Sequence, residues 1–573
     1  MKRKIIYSAA LLTMFVGLLS SCKESFLEVA PQAALGAESL ANKPGVEAAL
    51  IGAYAMLDGY HINDVNTWPA DPVNWILGSV PSDDAYKGSE QGDNPEITQL
   101  ELFQWSPGIA MLNDKYVPLY EGVTRTNAVL RLVEIAVGVE DIKDRVRGEA
   151  LFLRAYYHFE LYKVFGKVPY MKEDDVDFRK TNVGADPLAD AIADLEAAVP
   201  LLPETQSDKG RVTRKAARAF LGKLYMYDLD FPKAIENLEP VVNSTALSPC
   251  QRDVFEYASE NDPEALFSVQ MSLSNAAQAR NSNWLNQLAQ PNISGGVTTC
   301  CGFHQPSQNL VNAFKVDANG LPLLDAFNDS PLDPAANAVD PRLDLTVGRD
   351  GVPYWDWAVH GPNFIRSISY SGPYSPKKFQ PYNTSPLVAG GWNGKANNGV
   401  NVPIIRLADA ILLLAEAEVE QGDLDRAEEL VNMIRRRAAG CAQGPLDLGQ
   451  GEAVVLNDIN DASITWANYE VQPYPAGTFT AQGPAYARKA VRFERRLELA
   501  LEGHRFFDLR RWDDMDPGYA ASILNAFTAD QERPYYGEAQ PYTAKHRWFP
   551  LPTSQVQLSI VNGEPTLQQN EGW

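Results

Sequence analysis

The sequence predicts a mainly α protein: paired antiparallel helices form a stiff frame, and large irregular insertions of loops and short strands interrupt it. Three observations lead there. Several long segments carry apolar residues at helical spacing. Two distant segments repeat one pattern of small and apolar positions. Residues 58–110 and 243–403 lose any helical period and fill with Pro, Gly, Asn, Ser and aromatics. Long irregular stretches that stay rich in aromatics are binding loops or small appended subdomains rather than linkers.

The chain opens Met1-Lys2-Arg3-Lys4, followed by a mostly apolar run from Ile5 to Leu19. A basic start, an apolar middle and a small-residue end are the grammar of a secretory signal. The run is short for a membrane span, which needs ~20 residues. Leu19-Ser20-Ser21-Cys22 resembles the bacterial lipobox, in which cleavage precedes the cysteine and its thiol carries diacylglycerol. The expectation is a signal peptide over 1–21, a lipidated Cys22, and a tether over 22–44 leading into one domain over 45–573. Two or three acyl chains suffice for stable anchoring where one is marginal.

Val46 to Leu57 reads as the first helix of the frame, Asn113 to Val137 as a longer one bent after Pro118, and Arg145 to Phe165 as the clearest amphipathic helix, ending at Gly166. In "ARAFLGKLYMYDLDFPKAIENLEPVV" (217–242), Leu221-Gly222 is followed by Ala234, Leu238 and Val241. In "DAILLLAEAEVEQGDLDRAEELVNMI" (409–434), Leu414-Ala415 is followed at the same offsets by Ala427, Val431 and Ile434. This resembles the tetratricopeptide pattern, two antiparallel helices with small residues where they cross, because a larger side chain would force the axes apart. Ala155, with Ala191, Leu195 and Ala198, suggests a third, split unit.

Lys plus Arg number 50 against 73 Asp plus Glu, a net charge of −23. Such an acidic surface disfavours nucleic acid, whose binding depends on cations neutralising phosphate, and docking on anionic lipid. Cys250, Cys300, Cys301 and Cys441 allow several pairings, and no CxxC spacing or His cluster supports a metal site. The adjacent Asp83 and Asp84 do not supply the six or more oxygens that calcium takes. No cofactor is expected beyond the diacylglycerol and palmitate on Cys22.

"VPIIRLADAILLLAEAE" (402–418), "AEELVNMIRRRAA" (427–439), "VRFERRLELALEGHRFFDLRRW" (491–512) and "FPLPTSQVQL…EPTLQQNEGW" (549–573) occur in that order. With "VPSDDAYKG", "YEGVTRTNAVL" and "RGEALFLRAYYHFELYKVFGKVPY" upstream, the chain resembles the SusD/RagB family of Bacteroidota outer-membrane lipoproteins over essentially its whole mature length. Leu407 and Asp409 stand where Tyr and Glu are commoner, and Trp573 where Tyr is usual. The resemblance implies about four tetratricopeptide units in a right-handed scaffold, with the ligand face on the insertions. It implies polysaccharide utilisation at the cell surface, without catalysis, beside a SusC-like TonB-dependent transporter as partner. Rival readings are a peptide- or protein-binding lid of such a transporter and a glycoside hydrolase.

Glu494, Glu498 and Glu502 recur every four residues beside Asp508 and invite a catalytic reading, since glycosidases use two carboxylates. Interleaved Arg495, Arg496, Arg505, Arg510 and Arg511 favour structural ion pairs instead. Aromatics in the insertions point to a ligand surface. An aromatic face offers a sugar ring a flat surface with few torsions to freeze. The candidate ligand contacts are Trp68, Trp284, Tyr354, Trp355, Trp357 and Trp392, with Asp83 and Asp84 as polar contacts or turn residues. Trp75, followed by Ile76 and Leu77, reads as core.

Overall fold

In the computed structural model, residues 37–61, 67–175, 177–273, 284–291, 301–391, 394–444 and 461–573 are described. Cys22 and the signal-like segment lie outside them. The frame consists of helices α1 (Lys43–Tyr54), α2 (Ala110–Ile135), α3 (Lys143–Phe165), α4 (Pro187–Leu201), α5 (Arg214–Asp228), α6 (Phe231–Asn243), α7 (Leu407–Gln421) and α8 (Leu424–Ala439), with α9 (Pro484–Glu498), α10 (Arg505–Asp513) and α11 (Tyr519–Ala529) behind them. Five of these helices start at a side-chain cap that fills an orphan backbone donor. Asn42, Asp186, Thr213, Asp230 and Asp423 accept from the amides of Gly45, Ala189, Ala216, Lys233 and Arg426. Asp230 and Asp423 fall at the same offset after Gly222 and Ala415, so the repeat extends to its caps.

Each helix from α1 to α8 packs on the next, giving four consecutive pairs. The split unit is one of them: α3 packs along α4. Small residues sit where the axes cross. A Cβ on Gly222 would lie 2.5 Å from Leu238 Cγ of α6. Ala415 of α7 is fully buried at the matching place. Gly222→Leu is expected to destabilise the protein by about 1–3 kcal/mol, because the added carbons have nowhere to go. Gly52 of α1 meets nothing within 4 Å, so Gly52→Ala should stabilise by ~0.5–1 kcal/mol instead. Thermal or urea unfolding of the two variants checks both signs.

Short strands fasten the insertions to this frame: β1 (Ala85–Gly88), β2 (Phe267–Val269), β3 (Phe303–Pro306), β4 (Ala338–Val339), β5 (Val347–Gly348), β6 (Pro353–Tyr354), β7 (Ala358–Val359), β8 (Ser375–Pro376), β9 (Val402–Ile405) and β10 (Asn468–Tyr469). They pair two by two. β1 runs antiparallel to β3, with Ala85 opposite Pro306, and joins the first insertion to the second. β9 pairs with β2, β5 with β8, and β6 with β7. β10 lies parallel to β4, with Tyr469 opposite Val339. That last ladder belongs to a third irregular segment, between α8 and α9, which the sequence reading does not separate. Cys250 is disulfide-bonded to Cys441, and Cys301 is disulfide-bonded as well.

Frame and insertions meet across a buried ionic layer. Glu498 receives Arg406 Nη1 at 2.7 Å, Arg437 Nη2 at 2.5 Å and Arg342 Nη1 at 3.1 Å. Glu502 takes Arg406 and Lys378, each within 2.9 Å. Glu494 pairs with Arg342 and Arg435. Asp409 binds Lys223 and Arg495, and Glu416 binds Arg511. Burial raises the proton affinity of Glu498, but Arg437, Arg406 and Arg342 outweigh it and hold the carboxyl well below its usual range. A buried charge persists when it is paired and hydrogen-bonded, and this layer satisfies that condition.

Candidate ligand cleft on the irregular face

Loops 332–335, 349–350, 373–374 and 464–466 enclose a cleft of about 680 Å³. All come from irregular segments. Two are bound edge to edge: Thr465 N–H donates to Gly351 O at 2.8 Å, and Arg349 Nη1 to Thr465 O at 3.2 Å. Gly351 sits at φ +80°, and a Cβ there would lie 2.1 Å from Thr465 Oγ1, so only glycine permits this approach. Gly444 does the same for the aromatic wall. A Cβ on it would lie 2.3 Å from Trp466 Cε3, so the indole lies against bare backbone. Trp466 and Tyr374 are half-buried, each packed below and open above. Tyr374 O–H donates to Gln308 Oε1 at 3.1 Å.

The polar groups of the cleft are Asp333, Asp350, Thr465 and Arg349. Arg349 is committed inward, with Nε and Nη2 on Asp344 at 2.7 and 2.8 Å. Asp333 and Asp350 are exposed. The site therefore combines two partly open aromatic faces with acceptors that have spare capacity, and its one cation is already paired. Among the described residues, no cluster of three or more His, Cys, Asp or Glu side chains is arranged to hold a metal ion. A second concavity, about 400 Å³, lies against α2 and is lined by Tyr116, Tyr120, Phe178 and Leu558.

The profile of the SusD family matches residues 263–573. This chain belongs to the SusD/RagB family. A second SusD-like profile, described as starch-binding and associating with the outer membrane, matches residues 57–226. Among SusD-like relatives, protein P2 of Formosa agariphila is 23% identical over 528 residues, covering 87% of this chain and 90% of its own length. Starch-binding protein SusD of Bacteroides thetaiotaomicron is 23% identical over 393 residues, covering 60% and 67%. Among solved SusD-like structures, a laminarin-binding protein superposes with a TM-score of 0.64 at 22% identity, covering 93% of this chain and all of its own. Surface glycan-binding protein A of Bacteroides thetaiotaomicron, in complex with laminarihexaose, superposes with a TM-score of 0.61 at 20% identity, covering 92% and 99%.

On this SusD fold, several expected contacts prove to be structural. Trp355 is fully buried. The Arg252 guanidinium lies 4.0 Å from its ring centroid and Lys377 Nζ lies 4.3 Å from it, so cations already cover the ring. Its Nε1–H donates to Lys377 O. Tyr354 is 1% exposed and donates to Pro376 O. Asp83 and Asp84 are 2% exposed and serve the ionic layer: Asp83 accepts from Arg505 Nε and Nη2 at 2.7 and 2.9 Å, and Asp84 accepts from Arg496 Nε at 2.8 Å. Burial opposes ionisation of Asp83, but Arg496 and Arg505 prevail and hold it at about 2. None of these four can meet a ligand in this conformation.

Trp68 and Trp357 are half-buried. Trp68 rests against Phe303 at 5.8 Å, and Trp357 Nε1 donates to Pro381 O. Trp284 starts the short helix Trp284–Ala289, its side chain lying outside the description, and Trp392 lies outside the described residues. Trp75 is fully buried, as its apolar neighbours suggest. The sequence reading does not single out Trp466. Its signal is the one used elsewhere, an indole among Asp, Ser and Asn in "DASITWANYE".

Proposed function

We propose that this SusD-like protein captures an oligosaccharide, without cleaving it, in the cleft lined by Trp466 and Tyr374, and hands it to a SusC-like TonB-dependent transporter. The observation that carries the reading is the pairing of open aromatic faces with exposed carboxylates in one concavity. Aromatic faces bind the apolar side of a sugar ring and acceptors take its hydroxyls. Starch-binding SusD and the laminarihexaose complex support it by analogy of fold. In this reading, lipid on Cys22 holds the protein on the outer membrane, facing outward. The buried acids Glu494, Glu498 and Glu502 are ion-paired with Arg342, Arg435, Arg406, Arg437 and Lys378 and play no part in bond cleavage. Affinity electrophoresis and calorimetry over a polysaccharide panel test capture. Labelled oligosaccharide should be recovered intact, and release of shorter products would contradict the non-catalytic reading.

One observation favours a protein-binding role as well. Phe178 and Leu558 line the groove on α2 and are 72% and 61% exposed. Exposed apolar surface of this kind marks interaction sites. If the transporter seats there, Phe178→Asp with Leu558→Asp should abolish its co-purification and leave glycan affinity unchanged. Retention of the transporter by the double variant would dismiss the groove as its seat.

A further inference from the structure

The wall of the cleft contains a buried relay. Asp350 Oδ1 lies 2.9 Å from His360 Nδ1, and His360 Nε2 lies 2.9 Å from Ser375 Oγ. The connectivity is that of a serine-hydrolase triad. The burial is the reverse of what acyl transfer needs. Ser375 and His360 are 1% and 2% exposed, whereas the Asp350 side chain is 48% exposed. Ser375 is held in β8 against β5, so an acyl donor has no approach to its Oγ. The member of the relay that meets solvent is the carboxylate.

Burial keeps His360 below its usual proton affinity despite Asp350. The neutral ring then donates from Nδ1 to Asp350 and accepts at Nε2 from the Ser375 hydroxyl, a tautomer assigned from these partners. One carboxylate oxygen is thereby fixed in place. Asp333 adds a second exposed carboxylate on another loop of the cleft. Arg349, the cation among the lining residues, is held by Asp344.

We propose that Asp350, oriented by His360 and Ser375, makes this cleft select uncharged oligosaccharides over chains bearing uronate or sulfate. The proposal rests on the capture reading above. A carboxylate only accepts hydrogen bonds, so it suits sugar hydroxyls. A ligand carboxylate or sulfate placed there finds like charges, while the lining cation Arg349 is already held by Asp344, and like-charge juxtaposition works against binding. His360 acts as a positioning residue: it sets the direction of the carboxylate and not its charge.

Calorimetry with the mature protein tests this, using laminarin, amylopectin, xyloglucan and galactomannan as neutral probes and polygalacturonate and alginate as anionic ones. At least one neutral probe should bind, with every anionic probe at least ~tenfold weaker. Asp350→Asn should narrow that ratio severalfold. His360→Gln should weaken neutral binding while leaving anions excluded, because the charge remains. Equal affinity for the two classes, or a ratio unchanged in Asp350→Asn, overturns the proposal and leaves capture standing. Binding of anionic probes alone overturns the proposal in the same way. Failure of every probe overturns both. Hydrolysis of p-nitrophenyl acetate that is lost in Ser375→Ala would overturn the proposal in favour of acyl transfer.

Discussion

Trp466→Ala is expected to weaken oligosaccharide binding at least tenfold, about 1.4 kcal/mol or more, with a cooperative unfolding transition retained. The indole is half-buried at the cleft and lies against the bare backbone of Gly444. Alanine removes the largest apolar face the cleft offers, and an aromatic contact contributes ~0.5–1.5 kcal/mol beyond the area it covers. Trp466→Phe keeps a ring and should retain most of the affinity. Gly444→Ala should lower affinity by a different route, since its new Cβ takes the space of the indole edge. Trp355→Ala separates the two aromatic roles. With Arg252 and Lys377 both over its ring, its loss should lower stability and strip two cations of a partner. Any effect on glycan should follow from that damage.

Glu498→Ala is expected to cost about 3–5 kcal/mol, because it leaves buried guanidinium groups without their counter-charge. Arg342, Arg406 and Arg437 all converge on this carboxylate. Glu498→Gln keeps the shape and loses the charge, so it should fall between wild type and alanine. The same chemistry sets the acid limit of the fold. Glu498 and Asp409 are both held well below their ordinary values, burial being outweighed by Arg437 and Arg406 in the first and by Lys223 and Arg495 in the second. A group whose folded proton affinity is depressed stabilises above its unfolded pKa, about 4.3 for Glu and 3.9 for Asp. That stability is lost as pH falls through the lower folded values. The stability these two groups contribute should thus be intact from pH 7 to about 5 and be lost steeply below about 4, read as the gap in melting temperature between wild type and Glu498→Gln. Glu498→Gln should show a shallower drop. A melting temperature indifferent to Glu498→Ala would mean that the layer contributes nothing.

The frame was legible because its signals are local. Helical period, the Gly222 and Ala415 crossings, and the Asp230 and Asp423 caps all lie within single segments. The cleft was not, because its decisive partners are distant in the chain. Trp355 and Trp466 occur in similar polar, aromatic surroundings. Only Arg252 over the first and Gly444 beneath the second distinguish a covered ring from an open one. Asp83-Asp84 reads as a turn until Arg496 and Arg505, more than 400 residues away, close on it. The interleaved Arg and Glu of α9 and α10 were readable as ion pairs from composition alone. Their partners Arg342, Arg406 and Arg437 were not.

A crystal structure of the protein soaked with the tightest-binding oligosaccharide from the panel bears most directly on the whole reading. A sugar ring should be found stacked on Trp466, with hydroxyls directed at Asp350. Ligand density confined to the groove beside Tyr120 and Phe178, or to Trp68 and Trp357 with the Trp466 cleft empty, would contradict it.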